Sequence, residues 1–94
     1  MNNIIIELTV NNHPGVMSHV TGLFSRRAFN LEGILCSGIG DGTKSRMLLL
    51  VNNDDRVVQI VKQLNKLYDV IDVTVREDYN HNLFDKLHGF LRPQ

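Results

Sequence analysis

Between Ile4 and Arg76 the apolar spacing switches from two residues to about 3.6 and back, and the order of switches leaves few folds open. Ile4, Ile6, Leu8 and Val10 alternate with Ile5, Glu7 and Thr9, which predicts a strand. Asn11-Asn12-His13-Pro14-Gly15 breaks it, and Pro14 suits the first turn of a helix, where its missing N–H costs nothing. Val16, Val20, Leu23 and Phe24 then follow at helical spacing, predicting an amphipathic helix over Pro14–Ala28. Asn30–Ile39 reads as a second strand. Gly38, Gly40 and Gly42 around Asp41 form a hairpin turn, and Ser45–Val51 is the third strand. Asn53-Asp54-Asp55 offers an N-cap to a second helix, about Asp54–Leu67, with Val58, Val61, Leu64 and Leu67 (or Tyr68) as its stripe. Val70–Arg76 is a fourth strand, with Ile71, Val73 and Val75 expected on one face.

The order is β-α-β-β-α-β. Two βαβ halves close most naturally as a four-stranded antiparallel sheet with both helices on one face, the ferredoxin-like α+β architecture. At 94 residues there is one such domain, over 1–77. The remaining tail, 78–94, places Leu83, Phe84, Leu87, Phe90 and Leu91 on one helical stripe, with Asn80 or Asn82 as a cap and Pro93 as a stop. A lone helix of that length is marginal in water and needs a surface to cover. The third strand supplies one. Leu48 and Leu50 face away from the expected helices, where a sheet of this kind is normally polar, so the tail or another chain is expected over them.

Ten basic residues balance ten acidic ones, which does not favour nucleic acid or an anionic membrane. The first and third strands lack the aromatic residues on which this fold stacks single-stranded RNA. No apolar run reaches the roughly 20 residues of a membrane span, and MNNIII does not read as a signal peptide. The lone cysteine, Cys36, sits mid-strand among apolar residues and is expected to be a buried structural thiol in a reducing cytoplasm. His13, His19, His81 and His88 have no metal-ligand spacing, and no nucleophile–base set or carboxylate pair stands out. Gly38-Ile39-Gly40-Asp41-Gly42 lies between two strands and not between a strand and a helix, so it is a hairpin and not a phosphate loop.

That leaves binding, and the first helix start is the best place for it. Its unpaired N–H groups and positive dipole end can receive a carboxylate. Gly15 allows close approach to the backbone, and Asn12 offers both a donor and an acceptor to an α-amino acid head group. His13 could touch the same ligand. Equally, Asn12 or His13 could simply cap the helix. Asn30 is a second polar handle or a plain turn residue.

Asn12-His13-Pro14-Gly15-Val16-Met17, Gly22-Leu23-Phe24-Ser25-Arg26-Arg27 and Phe29-Asn30-Leu31-Glu32-Gly33-Ile34 together look like a family signature. Ser45-Arg46-Met47 and Gln63-Leu64-Asn65-Lys66-Leu67-Tyr68-Asp69-Val70 fit as well. Over about residues 3–76 the chain resembles ACT domains. In detail it resembles the regulatory small subunits of acetohydroxyacid synthase (AHAS), also called acetolactate synthase, of the short isozyme I type.

The resemblance implies a non-catalytic subunit that activates a catalytic large subunit and confers feedback inhibition by valine, in branched-chain amino acid biosynthesis. Thiamine diphosphate, Mg and FAD would belong to that partner, with no cofactor on this chain. It implies a homodimer with the effector between one chain's helix start and its neighbour's second strand. Family positions carry over to Asn12, Gly15 and Asn30, with His13, Pro14, Val16 and Met17 from the helix start. Ile34, Leu35 and Cys36 border the site, and Ser37 lies where the family tunes sensitivity. The alternatives are an ACT sensor regulating another enzyme or a transcription factor, a ligand-free adaptor, and an acylphosphatase-type hydrolase. The last would want an arginine in Asn11–Gly15, which has none.

Overall fold

The computed structural model describes residues 3–77 together with Phe84 and Lys86. Its elements are β1 (Asn3–Asn11), α1 (Val16–Arg26), β2 (Gly33–Ile39), β3 (Lys44–Asn52), α2 (Val57–Lys66) and β4 (Val70–Arg76). The strands lie in the order β2-β3-β1-β4, every neighbouring pair antiparallel. This is the expected ferredoxin-like βαββαβ fold, and it puts β2 at one edge of the sheet.

The period-two and helical stripes meet in one core. Ile4, Ile6, Leu8 and Val10 of β1 and Met47, Leu49 and Val51 of β3 pack with Val20, Leu23 and Phe24 of α1 and Ile60 and Leu64 of α2. Each such side chain contributes ~1.5–3 kcal/mol by burial, against the entropy of ordering the chain. In α2 the buried stripe is Val57, Ile60 and Leu64, with Val61 partly buried, while Val58 is exposed. The expected stripe was therefore one residue out of phase at its start. Asp54 does not cap the helix. Its Oδ1 accepts the Arg56 N–H at 2.7 Å, shaping the turn before α2, and Arg56 is the cap residue.

β4 carries a correction as well. Val10 pairs with Val70 and Thr9 with Asp72, so Ile71 is an extra residue at a β-bulge and is exposed. It does not share a face with Val73 and Val75.

α1 ends in a Schellman motif. Phe29 N–H donates to the Phe24 carbonyl at 2.9 Å and Ala28 N–H to that of Ser25 at 3.1 Å. The Phe24 and Phe29 rings meet edge to face at 5.9 Å, supplying the apolar contact that accompanies this turn. The Arg56 guanidinium lies 4.7 Å from the Phe29 ring centroid, tying the start of α2 to the end of α1.

On the face away from the helices, Ile5 is only 2% exposed and pairs across β3 with Leu50. Leu48 and Leu50 are half-buried. Phe84 reaches this face, its ring lying over Gly33, which pairs with Leu50. Of the cover expected over Leu48 and Leu50, the described residues show Phe84 over Gly33, the cross-strand partner of Leu50. The other tail residues of the expected stripe, with His81 and His88, lie outside the described residues.

Candidate functional site

The turn between β1 and α1 is held from two sides. On one, Asn11 N–H donates to the Asp69 carbonyl at 2.8 Å. On the other, Asn12 N–H donates to the Thr43 carbonyl at 2.9 Å, and Asn12 Nδ2 to that of Gly42 at 2.8 Å. The carboxamide of Asn12 is therefore oriented by the β2–β3 hairpin, whose positive-φ residues are Gly40 and Gly42. It does not cap α1, and neither does His13; no side chain does. Gly15 is the cap residue, with φ +93°, and the space where a Cβ would stand is open. The first turn of α1 has no acidic residue. The result is a hydrogen-bonded turn with open space beside Gly15 at the positive dipole end of α1, an arrangement suited to a carboxylate.

His13 has a partner that local spacing could not reveal. Its Nε2 lies 2.6 Å from Asp69 Oδ2, and its Nδ1 lies 2.5 Å from the Pro14 carbonyl oxygen. Hydrogen bonding to that carbonyl and then to Asp69 raises the His13 pKa above its ordinary 6.5. Asp69, in the turn between α2 and β4, is only 8% exposed; His19 of α1 stands 3.7 Å from the same carboxylate oxygen. Asp69 was visible in the sequence only as part of the Tyr68-Asp69-Val70 resemblance. A contact so distant in sequence leaves no periodic trace.

The other expected residues are distributed as follows. Pro14 lies in the turn and Met17 on the exposed side of α1, whereas the Val16 side chain is in the core and can offer a ligand only its backbone. On β2, Ile34 and Cys36 face the helix side, opposite Leu49 and Met47, while Leu35 and Ser37 face the tail side, opposite Leu48 and Arg46. Cys36 is exposed, not buried. Its face is apolar in register, but β2 is the outermost strand and lies beyond the helices' cover. Asn30 is also exposed, its Nδ2 donating to Glu32 Oε1 at 3.1 Å. It follows the C-terminal end of α1, an 11-residue helix about 16 Å long at ~1.5 Å per residue, so one protomer does not bring it to Asn12. Instead Asn30 lines a cleft of 480 Å³ with Phe24, Ala28 and Phe29.

Among the described residues no group of histidine, cysteine or carboxylate side chains could hold a metal, and no helix is long and apolar enough to cross a membrane.

Residues 6–72 match the family described as the AHAS small subunit-like ACT domain. The acetolactate synthase isozyme 1 small subunit of Escherichia coli (strain K12) is 53% identical over 90 residues, 96% of this chain and 93% of that one. The probable acetolactate synthase small subunit of Methanothermobacter thermautotrophicus is 49% identical over 70 residues, 73% of this chain and 42% of that one. In the solved structure of the acetolactate synthase small subunit from Thermotoga maritima, the match has a TM-score of 0.71 at 37% identity and covers 80% of this chain and 47% of that one. The chain thus spans nearly the whole bacterial isozyme 1 subunit and about half of the other two.

Proposed function

The chain belongs to the family of AHAS small subunit-like ACT domains and is a regulatory small subunit of acetolactate synthase, and on that premise we propose that it senses valine at an interface between two copies of itself. In this reading it activates the catalytic large subunit when free of effector and inhibits it when valine is bound. Catalysis, and with it thiamine diphosphate, Mg and FAD, belongs to that partner. Both work in the cytoplasm.

The β2 edge is the observation that supports this most directly. Among the described residues β2 pairs only with β3, leaving its outer edge open beside exposed Ile34 and Cys36. Open edges of this kind invite another strand. A two-fold axis through the middle of β2 makes the two edges antiparallel and self-complementary. The partner's Gly33 end then lies beside this chain's Ile39 end, where Gly38 approaches Asn12. The partner's Asn30 is carried to the β1–α1 turn. The effector carboxylate meets the helix start at Gly15, Asn12 and Asn30 hold its polar groups, and Met17, Ile34 and Cys36 line the apolar side. Leu35 and Ser37 act through the strand backbone.

The test is reconstitution. Purified catalytic subunit is assayed for acetolactate with and without this chain, and then with valine. Higher activity with the chain, and inhibition by valine only in its presence, are expected. Activation with no valine response would instead fit a ligand-free adaptor.

A further inference from the structure

Both ring nitrogens of His13 face oxygen acceptors, Nε2 the Asp69 carboxylate at 2.6 Å and Nδ1 the Pro14 carbonyl at 2.5 Å. A neutral imidazole has one N–H and can satisfy only one of them; an imidazolium has two and satisfies both. When the ring is neutral, one nitrogen lone pair must face an oxygen at contact distance, and the turn has to rearrange. The Pro14 carbonyl belongs to the same peptide plane as the Gly15 N–H, so this ring fixes the orientation of the peptide that opens α1.

We infer that His13 is a positioning residue for the effector turn, holding it only as an imidazolium with Asp69 as fixed counter-ion, so that effector affinity is lost with one proton. This rests on the effector site proposed above and adds a proton to its regulation. The surroundings favour it. Asp69 is nearly buried and anchored by its own backbone, whose carbonyl accepts Asn11 N–H, so the carboxylate stays in place as His13 titrates. His19 faces the same carboxylate from α1 at the longer 3.7 Å. Tyr68, next to Asp69, points into solvent at 94% exposure. On the β2–β3 hairpin, which packs against the turn, the Asp41 carboxylate is occupied by Thr43 and lies near Lys44. Desolvation opposes the cation, but the hydrogen bonds to the Pro14 carbonyl and then to Asp69 outweigh it, and the His13 pKa is raised. The ring is 40% exposed, so protons exchange with solvent without opening the fold.

The test uses the full chain. NMR titration follows the His13 ring and the Gly15 amide, and calorimetry follows valine binding on either side of the His13 midpoint. The wild type should show His13 titrating above 6.5, Gly15 shifting with it, and valine affinity falling about tenfold as the proton leaves, the scale of one hydrogen bond to a charged group. Asp69→Asn should lower the His13 midpoint. His13→Gln, a surface change that leaves the core intact, should remove the pH dependence of affinity. Equal valine affinity on both sides of the midpoint would overturn the inference, as would an unchanged midpoint in Asp69→Asn or a Gly15 amide indifferent to His13. A chain that binds no valine at any pH overturns the effector site itself, while the Gly15 response still decides whether His13 sets the turn.

Discussion

The ring of Phe84 lies so close over Gly33 that a Cβ added there would stand 2.9 Å from two ring carbons, Cδ1 and Cε1. Gly33 thereby provides the seat for the Phe84 ring on β2. Gly33→Ala should force the ring off its seat and destabilise the fold by ~1 kcal/mol, within the range for overpacking. Phe84→Ala alone should cost about as much through lost burial. Together they should cost clearly less than the sum, because the clash vanishes with the ring. Urea unfolding of the four proteins measures this; strict additivity would show that the tail does not rest there.

Ala28 closes α1 at φ +53°, where an L side chain is strained and glycine is the usual residue. Ala28→Gly removes that strain and gains some unfolded-state entropy cost in exchange. The expected balance is a stabilisation of about 0.5 kcal/mol, readable as a shift in urea midpoint at constant slope. A destabilised variant would mean that the Schellman turn is not formed in solution.

The His13 pKa is raised in the folded chain, so its contribution to stability is complete below the unfolded value of 6.5 and is lost as pH rises through the higher folded value. Unfolding midpoints should therefore fall from about pH 6.5 upward, and His13→Gln should flatten that slope. Asp41 and Asp54 act in the opposite sense. Hydrogen bonds from Thr43 and Arg56 hold their carboxyl groups below 3.8, so their contributions are lost only as pH falls beneath that value. Measuring His13→Gln, Asp41→Asn and Asp54→Asn across both ranges separates the two limbs.

The element order was legible because it is written in local periods, and all six elements lie within three residues of their expected bounds. What was not legible depends on neighbours in space. The exposure of Cys36 follows from the position of β2 at the sheet edge, which strand order decides. Ile71 lost its face to a bulge set by pairing with Thr9 and Val10. Val58 was misplaced because a short helix with several valines supports two stripes. At the site, Asn12 and Gly15 stood out through turn chemistry, but a cap and a ligand contact look alike in sequence. The hydrogen bond to Gly42 removes the cap. The clamp between Asp69 and His13 joins two loops with no local pattern in common. Asn30 could be named but not placed, because in one protomer it lies beyond the far end of α1 from Asn12, and the role proposed for it calls for a second chain.

The central claim is a valine site shared between two copies, and complementation tests it most directly. Asn12→Ala and Asn30→Ala should each weaken valine binding roughly tenfold or more, the loss of a hydrogen bond to a charged group. In a two-fold dimer made of one variant chain and the other, one site carries both substitutions and the other carries neither. Mixing the two purified variants and allowing subunits to exchange should therefore restore tight binding at about a quarter of all sites. Calorimetry on the mixture reads that fraction. Recovery of tight sites on mixing is the predicted result; a mixture that binds valine no better than either variant alone contradicts a shared site.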